Sequence, residues 1–283
     1  MHNLKRIALS ALAAAALSAF VGACKSEDKA PPPPPPAATP PAAPPAAAPA
    51  TPPAAAPPAA APAAGGSAAA GGSSSIEGSV TFTGTAPEMK KLLTGADPKC
   101  PKDVKDQTVM VSGGKLGNVW IHATKGAAAA TNGASLPPIE VTQEGCMYKP
   151  RMQALVLGQK IVVKNHDDTL HNVHTFLGAA TAFNKAMPGK AAAPIDYTPT
   201  DEGMVKWKCD VHPWMRGFVG VAKTTVQATS GDSGSFKIDN VPPGTYTLEA
   251  WHEKLGAKTA DVTVEAGKAA HVEFKFDAAD KGT

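Results

Sequence analysis

The sequence is poor in aromatic residues, cysteines and clustered positive charge. Only 5% of its 283 residues are Phe, Trp or Tyr. No run of Lys and Arg is interleaved with them, which argues against a stacking and phosphate-binding surface and so against nucleic acid as a partner. A formal net charge of +3 adds little electrostatic pull of its own. The one long apolar run, residues 7–21, is too short and too rich in alanine for a good membrane-spanning helix. Long helical periodicity is missing, so a helical bundle is not expected. No general base beside an open coordination position is indicated, so the chain is not read as an enzyme. The four cysteines are too few for a disulfide scaffold, and each needs its own explanation.

The amino-terminal residues have the pattern of an export signal over 1–23. Lys5 and Arg6 precede the apolar run, which ends in Val21-Gly22-Ala23-Cys24. That ending resembles the lipobox of bacterial lipoproteins. The resemblance implies that Cys24 is acylated and becomes the first mature residue, so the membrane holds the chain by a lipid anchor. Without acylation the segment reads as an ordinary secretory signal, and on either reading the chain leaves the cytoplasm. The expected location is the bacterial cell envelope, facing the periplasm or the cell surface. Lys25, in place of the Asp that often retains lipoproteins at the inner membrane, leans towards the outer membrane. Residues 24–75 then form a linker, nearly all Ala, Pro, Gly, Ser and Thr beyond residue 30, with six consecutive prolines at 31–36. Such a composition buries too little apolar surface to offset chain entropy, and an extended disordered tether is expected.

Strand signals dominate residues 76–276. SVTFTGT (79–85), NVWIHA (118–123), MVKWKC (204–209), GFVGVA (217–222), TYTLEAWH (245–252) and HVEFKF (271–276) are β-rich, and turn residues separate such runs every 8–15 residues. QALVLGQKIVVKN (153–165) reads as two strands broken at Gly158-Gln159, and FKI (236–238) and TADVTV (259–264) as two more. The pattern predicts an all-β fold of one or two sandwiches. A short helical piece over 87–93 is also considered.

CDVHPWM (209–215) places a thiol, an imidazole and a thioether in one short loop between two predicted strands. Soft sulfur donors beside imidazole point to copper, and a mononuclear electron-transfer site takes two imidazoles, one thiolate and a weak axial Met. Cys209, His212 and Met215 are three of those donors. The fourth must come from elsewhere, and His166, His171 and His174 lie together in KNHDDTLHNVHTF (164–176). With Cys24 assigned to lipid and Cys209 to the metal loop, Cys100 and Cys146 remain. In an oxidising compartment they are expected to form a disulfide, the other readings being two buried free thiols or one of the two as a metal ligand.

GQKIVVKN followed by LHNV resembles the first ligand region of cupredoxins, the plastocyanin and azurin superfamily, and CDVHPWM has the ligand spacing of amicyanin. The likeness covers residues 137–224. It implies a cupredoxin β-sandwich with one mononuclear type 1 copper site held by His171, Cys209, His212 and Met215. It also implies that Asn172 ties the ligand loops together. His174, three residues from His171, would point to the opposite face of a strand and is read as a residue behind the ligands. In that family the second ligand His emerges through an apolar patch, which here would be made by Pro213, Trp214 and Phe218. Trp214 reads equally as a core residue. GDSGSFKIDNVPPGTYTLEAWHEKLG (231–256) resembles the carboxypeptidase regulatory-like, transthyretin-type β domain, expected over 225–276. Residues 76–136 form a β segment that either belongs to that second sandwich or adds strands to the first. His122, His252 and His271 carry no motif and read as packing or surface residues, as does Glu253, and His166 reads as solvated.

The function implied is a lipid-anchored extracytoplasmic carrier of single electrons, docking weakly and briefly with redox proteins. The alternative is a copper-binding or copper-delivery lipoprotein, which would favour more Met and His donors than the scattered ones present. A zinc site and a purely structural β lipoprotein are the remaining readings.

Overall fold

The computed structural model describes residues 73–130 and 132–282. The export signal, Cys24 and the Pro/Ala-rich stretch up to residue 72 lie outside the described residues. The described residues begin slightly before the expected boundary at 76. Ser74 is buried, its carbonyl accepts from Val241 N at 3.0 Å and its hydroxyl accepts from Gly267 N at 3.0 Å.

The described residues form eighteen strands. They are β1 (Ser75–Thr83), β2 (Val111–Ser112), β3 (Lys115–Leu116), β4 (Trp120–Lys125), β5 (Ile139–Gln143) and β6 (Tyr148–Lys149). Next come β7 (Met152–Val156), β8 (Ile161–Asn165), β9 (His171–Leu177), β10 (Ala180–Met187), β11 (Ile195–Tyr197) and β12 (Gly203–Lys208). The last are β13 (Arg216–Ala222), β14 (Gln227–Thr229), β15 (Ser235–Ile238), β16 (Gly244–His252), β17 (Gly256–Val264) and β18 (Ala269–Asp277). Among the described residues the only helical piece is a 3₁₀ turn at Gly133–Ser135. The considered helix over 87–93 is absent. That segment runs irregularly, with a single β-bridge between Lys91 and Lys105; Met89, Leu92 and Leu93 have helical spacing, but Met89 and Leu93 stay exposed, so no core rewards a helix there.

Four sheets result. β10-β9-β12-β13-β7 and β11-β8-β5-β6 are built from residues 139–222. Between them lies a core that includes Val141, Ile161, Val163, Val173, Val205 and Trp207. Strands before and after that segment pair with one another. β1 lies parallel to β18 along its whole length, and β4 lies antiparallel to β16 and β14. The resulting sheets, β15-β1-β3-β2 with β18 on β1, and β14-β4-β16-β17, enclose Ile76, Val80, Ile121, Leu248 and Phe276.

The two sandwiches meet through a smaller cluster of Trp120, Met152, Phe218 and Ala222, with Trp251 against it. Gly220 on β13 permits this approach. A Cβ there would sit 2.1 Å from Trp120 Cδ2, so only glycine lets the indole lie on the strand. Beside this cluster Arg151 and Glu253 form a buried two-pronged ion pair, Nε–Oε1 at 2.5 Å and Nη2–Oε2 at 2.9 Å. Glu253, read from sequence as packing or surface, is thus a buried link from the end of β16 to the residue preceding β7.

Candidate metal centre

β12 alternates, with Val205 and Trp207 turned inward, and the next inward position is Cys209. The chain then turns back into β13. Met215 N donates to His212 O at 2.9 Å and Cys209 N donates to Met215 O at 3.1 Å, which closes the loop. Cys209, His212 and Met215 are all buried, at 1%, 1% and 0% exposure. On the neighbouring β9, His171 heads the inward series with Val173 and Thr175 and is fully buried.

Three donor atoms converge. His171 Nδ1 and His212 Nδ1 are 2.9 Å apart, and Cys209 Sγ lies 3.9 Å from the first and 3.8 Å from the second. These three residues form a compact group of potential ligands among the described residues. An ion bound at about 2.0 Å by imidazole nitrogen and about 2.3 Å by thiolate is within reach of all three atoms at once. The residues present therefore fit a metal ion, and a Cys/His₂ donor set with a buried Met in the same loop fits copper in chemistry.

The far nitrogen of each ring is also fixed. His171 Nε2 lies 2.9 Å from Asp167 Oδ2, and His212 Nε2 lies 3.0 Å from Asp97 Oδ2. A neutral imidazole that donates Nε2–H to a carboxylate presents the lone pair of Nδ1 to the centre. Burial works against a charge on His171, but Asp167 and Cys209 outweigh it and raise its pKa to about 9. Burial holds His212 below the ordinary histidine value in spite of Asp97. Burial opposes ionisation of Cys209, yet the hydrogen bond to His171 and those from backbone N–H groups of Asn172, His212 and Val211 bring the thiol below its usual value.

The remaining sequence-predicted residues fall as follows. Asn172 bridges the two ligand segments, accepting from Asp210 N at 2.6 Å and donating to Asp210 Oδ2 at 2.8 Å. His174 faces away from the three donors, with Nδ1 2.9 Å from Asp210 Oδ2 and Nε2 3.1 Å from Thr181 Oγ1. Cys100 and Cys146 are bonded to each other. Trp214 is half-buried, its ring centroid 5.1 Å from that of His212, and its Nε1 donates to Cys146 O at 3.1 Å. Pro213 is exposed.

Two expectations need correction. Phe218 is not part of a surface patch, because β13 turns it into the cluster between the sandwiches, at 8% exposure. His212 does not emerge at the surface either, because Asp97 and the neighbouring disulfide cover its outer edge. Sequence reasoning missed Asp97 and passed over Asp167 as part of a polar loop. Asp97 lies 115 residues from His212, and no local pattern connects them.

Comparison with known proteins gives a partial answer. Residues 218–277 match the model of the carboxypeptidase regulatory-like domain. The match begins inside β13, which pairs in the sheet of the metal site, and it does not include β1 or β4. No curated protein matches the chain. Solved structures similar to it include a purple cupredoxin from Nitrosopumilus maritimus, 21% identical, covering 30% of this chain and 99% of that one with a TM-score of 0.27. A reduced amicyanin variant is 22% identical, covering 36% of this chain and 98% of that one with a TM-score of 0.28. A copper-containing nitrite reductase from Thermus scotoductus SA-01 is 20% identical, covering 34% of this chain and 25% of that one with a TM-score of 0.28.

Proposed function

We propose that this chain is a lipid-anchored, extracytoplasmic type 1 copper protein that passes single electrons between redox partners. The observation that carries the reading is the convergence of His171 Nδ1, His212 Nδ1 and Cys209 Sγ within one buried cluster. Bound copper would supply one-electron exchange between its two oxidation states. The chain supplies the rest. β9, β12 and the 209–215 loop hold the donors in a core wall, so little has to move when charge changes. Tyr148 and Trp207, both buried in that wall, keep water out. Together with the Met215 thioether they favour the less charged state and so a high potential. Leu170 and Val211 precede the two ligand histidines and are 43% and 48% exposed. With Pro213 and half-buried Trp214 they offer a small apolar rim suited to weak, brief docking. Anchoring by acylated Cys24, with the Pro/Ala-rich stretch as tether, gives the site reach around its point of attachment on the envelope membrane.

A copper-delivery role is the second reading, and it requires copper that leaves easily. The two differ in one experiment. The protein, loaded with one equivalent of copper, is examined by cyclic voltammetry. A reversible one-electron wave of stoichiometric amplitude, stable over repeated cycles, supports the carrier. Loss of the wave as copper is released supports delivery.

A further inference from the structure

The covering of His212 is built from parts that converge on both ligand histidines. Asp97 Oδ2 contacts His212 Nε2 at 3.0 Å and also accepts from Thr169 Oγ1 at 2.5 Å, while Asp97 Oδ1 accepts from Lys99 N at 2.9 Å. Three residues on, Cys100 is bonded to Cys146. Cys146 N and Gly145 N donate to the two oxygens of Asp167 at 2.8 Å each, and Asp167 Oδ2 contacts His171 Nε2 at 2.9 Å. One disulfide therefore joins the segment that carries the Asp97 carboxylate to the backbone that holds the Asp167 carboxylate. Each carboxylate grips the outer nitrogen of one imidazole. Cys100 and Cys146 are themselves 4% and 0% exposed, so the bridge is part of the wall of the site. Asp97 arrives from the 84–110 excursion between β1 and β2, strands of the other sandwich.

We infer that Asp97, stapled in place by Cys100–Cys146, is a positioning residue that holds His212 in the metal-binding tautomer and orientation, with Asp167 doing the same for His171. The inference rests on the copper reading above, but its geometry concerns this chain's own residues. Carboxylate partners of ligating imidazoles fix ring orientation, and their removal costs about 10- to 100-fold in metal affinity. A merely structural role for the excursion would affect folding and leave the ring alone. Asp103 lies in the same excursion, where its carboxylate pairs with Lys91 at 2.7 Å on the surface. Asp103→Asn is therefore the control.

The test uses the full chain, wild type and the variants Asp97→Ala, Asp97→Asn, Asp103→Asn, Cys100→Ala/Cys146→Ala and Cys209→Ala. Each is loaded with one equivalent of Cu(I) and challenged with excess bathocuproine disulfonate. The expected result is copper loss faster by about 10- to 100-fold in Asp97→Ala and in the disulfide variant. Asp97→Asn should be intermediate, because the amide oxygen still accepts from Nε2–H, and Asp103→Asn should match wild type. The second readout needs no metal. In NMR spectra of the metal-free protein the His212 ring resonances should move in Asp97→Ala and stay in Asp103→Asn. Unchanged copper loss with unchanged His212 resonances in Asp97→Ala overturns the inference. Wild-type copper loss as fast as that of Cys209→Ala would instead count against the copper reading, and the His212 resonances would still decide the role of Asp97.

Discussion

His171 Nδ1 and His212 Nδ1 face each other across 2.9 Å, with Cys209 Sγ under 4 Å from both. Two ring nitrogens this close cannot both carry a proton on the sides that face each other. A cation that accepts both lone pairs and the thiolate removes the conflict. Binding to the folded state alone stabilises it by about 2.7 kcal/mol at a ligand concentration 100 times Kd. Thermal unfolding of the copper-loaded protein should therefore occur on the order of 5–10 °C above the metal-free form. Most of that increment should disappear in Cys209→Ser. An equal increment in the variant would mean that the ion binds elsewhere.

The Arg151–Glu253 pair should reveal itself by non-additivity. Its side chains are 4% and 8% exposed. Burial raises the Glu253 carboxyl above the usual range even with the guanidinium beside it. Removing one partner strands a buried charge, so Glu253→Leu alone should destabilise by about 3–5 kcal/mol. The double change Arg151→Met/Glu253→Leu should cost less than the single one, because no charge is left uncompensated. Denaturant unfolding of the four species checks this.

His252 should make the protein less stable in mild acid. Its ring is fully buried, and Nδ1 accepts from Lys254 N at 3.1 Å and Leu255 N at 3.2 Å. Burial, aided by the charge of Arg151, lowers its pKa from 6.5 to about 4. The unfolded chain takes up a proton below pH 6.5 that the folded ring refuses. Stability is thus intact above 6.5 and falls as pH drops towards 4. Glu253, raised by burial, works in the opposite sense at the lower end of that window. His252→Gln should flatten the loss of stability between pH 6.5 and 4 relative to wild type. An identical slope would show that His252 is not held neutral.

Gly220→Ala probes the contact between the sandwiches. The new methyl would lie 2.1 Å from Trp120 Cδ2 and 2.3 Å from Cε2, so the indole must leave its place against β13. Overpacking of this kind costs roughly 1–3 kcal/mol. Reduced stability with an altered tryptophan fluorescence spectrum is expected. An unchanged unfolding midpoint would mean that the contact is slack.

What the sequence disclosed follows the range of the interactions. The nearness of Cys209 and His212 was legible because they lie in one short loop. His171 was singled out from its neighbours His166 and His174 only by the resemblance of GQKIVVKN and LHNV to a ligand region. The inward alternation of β12 and β16 could be read directly from period-two patterning. β10 was not anticipated as a strand. β10 is almost entirely exposed and rich in Ala, with little apolar alternation to signal it. The pairing of β1 with β18 joins residues more than 190 positions apart, and a motif cannot specify such a partner. Separations of 115 and 102 residues likewise hid Asp97 from His212 and Arg151 from Glu253. In each case the chemistry arises where two remote segments meet.

A thiolate–copper bond at Cys209 would show in visible and EPR spectra recorded after addition of one equivalent of Cu(II). An intense blue or purple band with narrow copper hyperfine splitting, lost in Cys209→Ala, is the result expected. A colourless or faintly coloured complex, or a band that survives in Cys209→Ala, would contradict it.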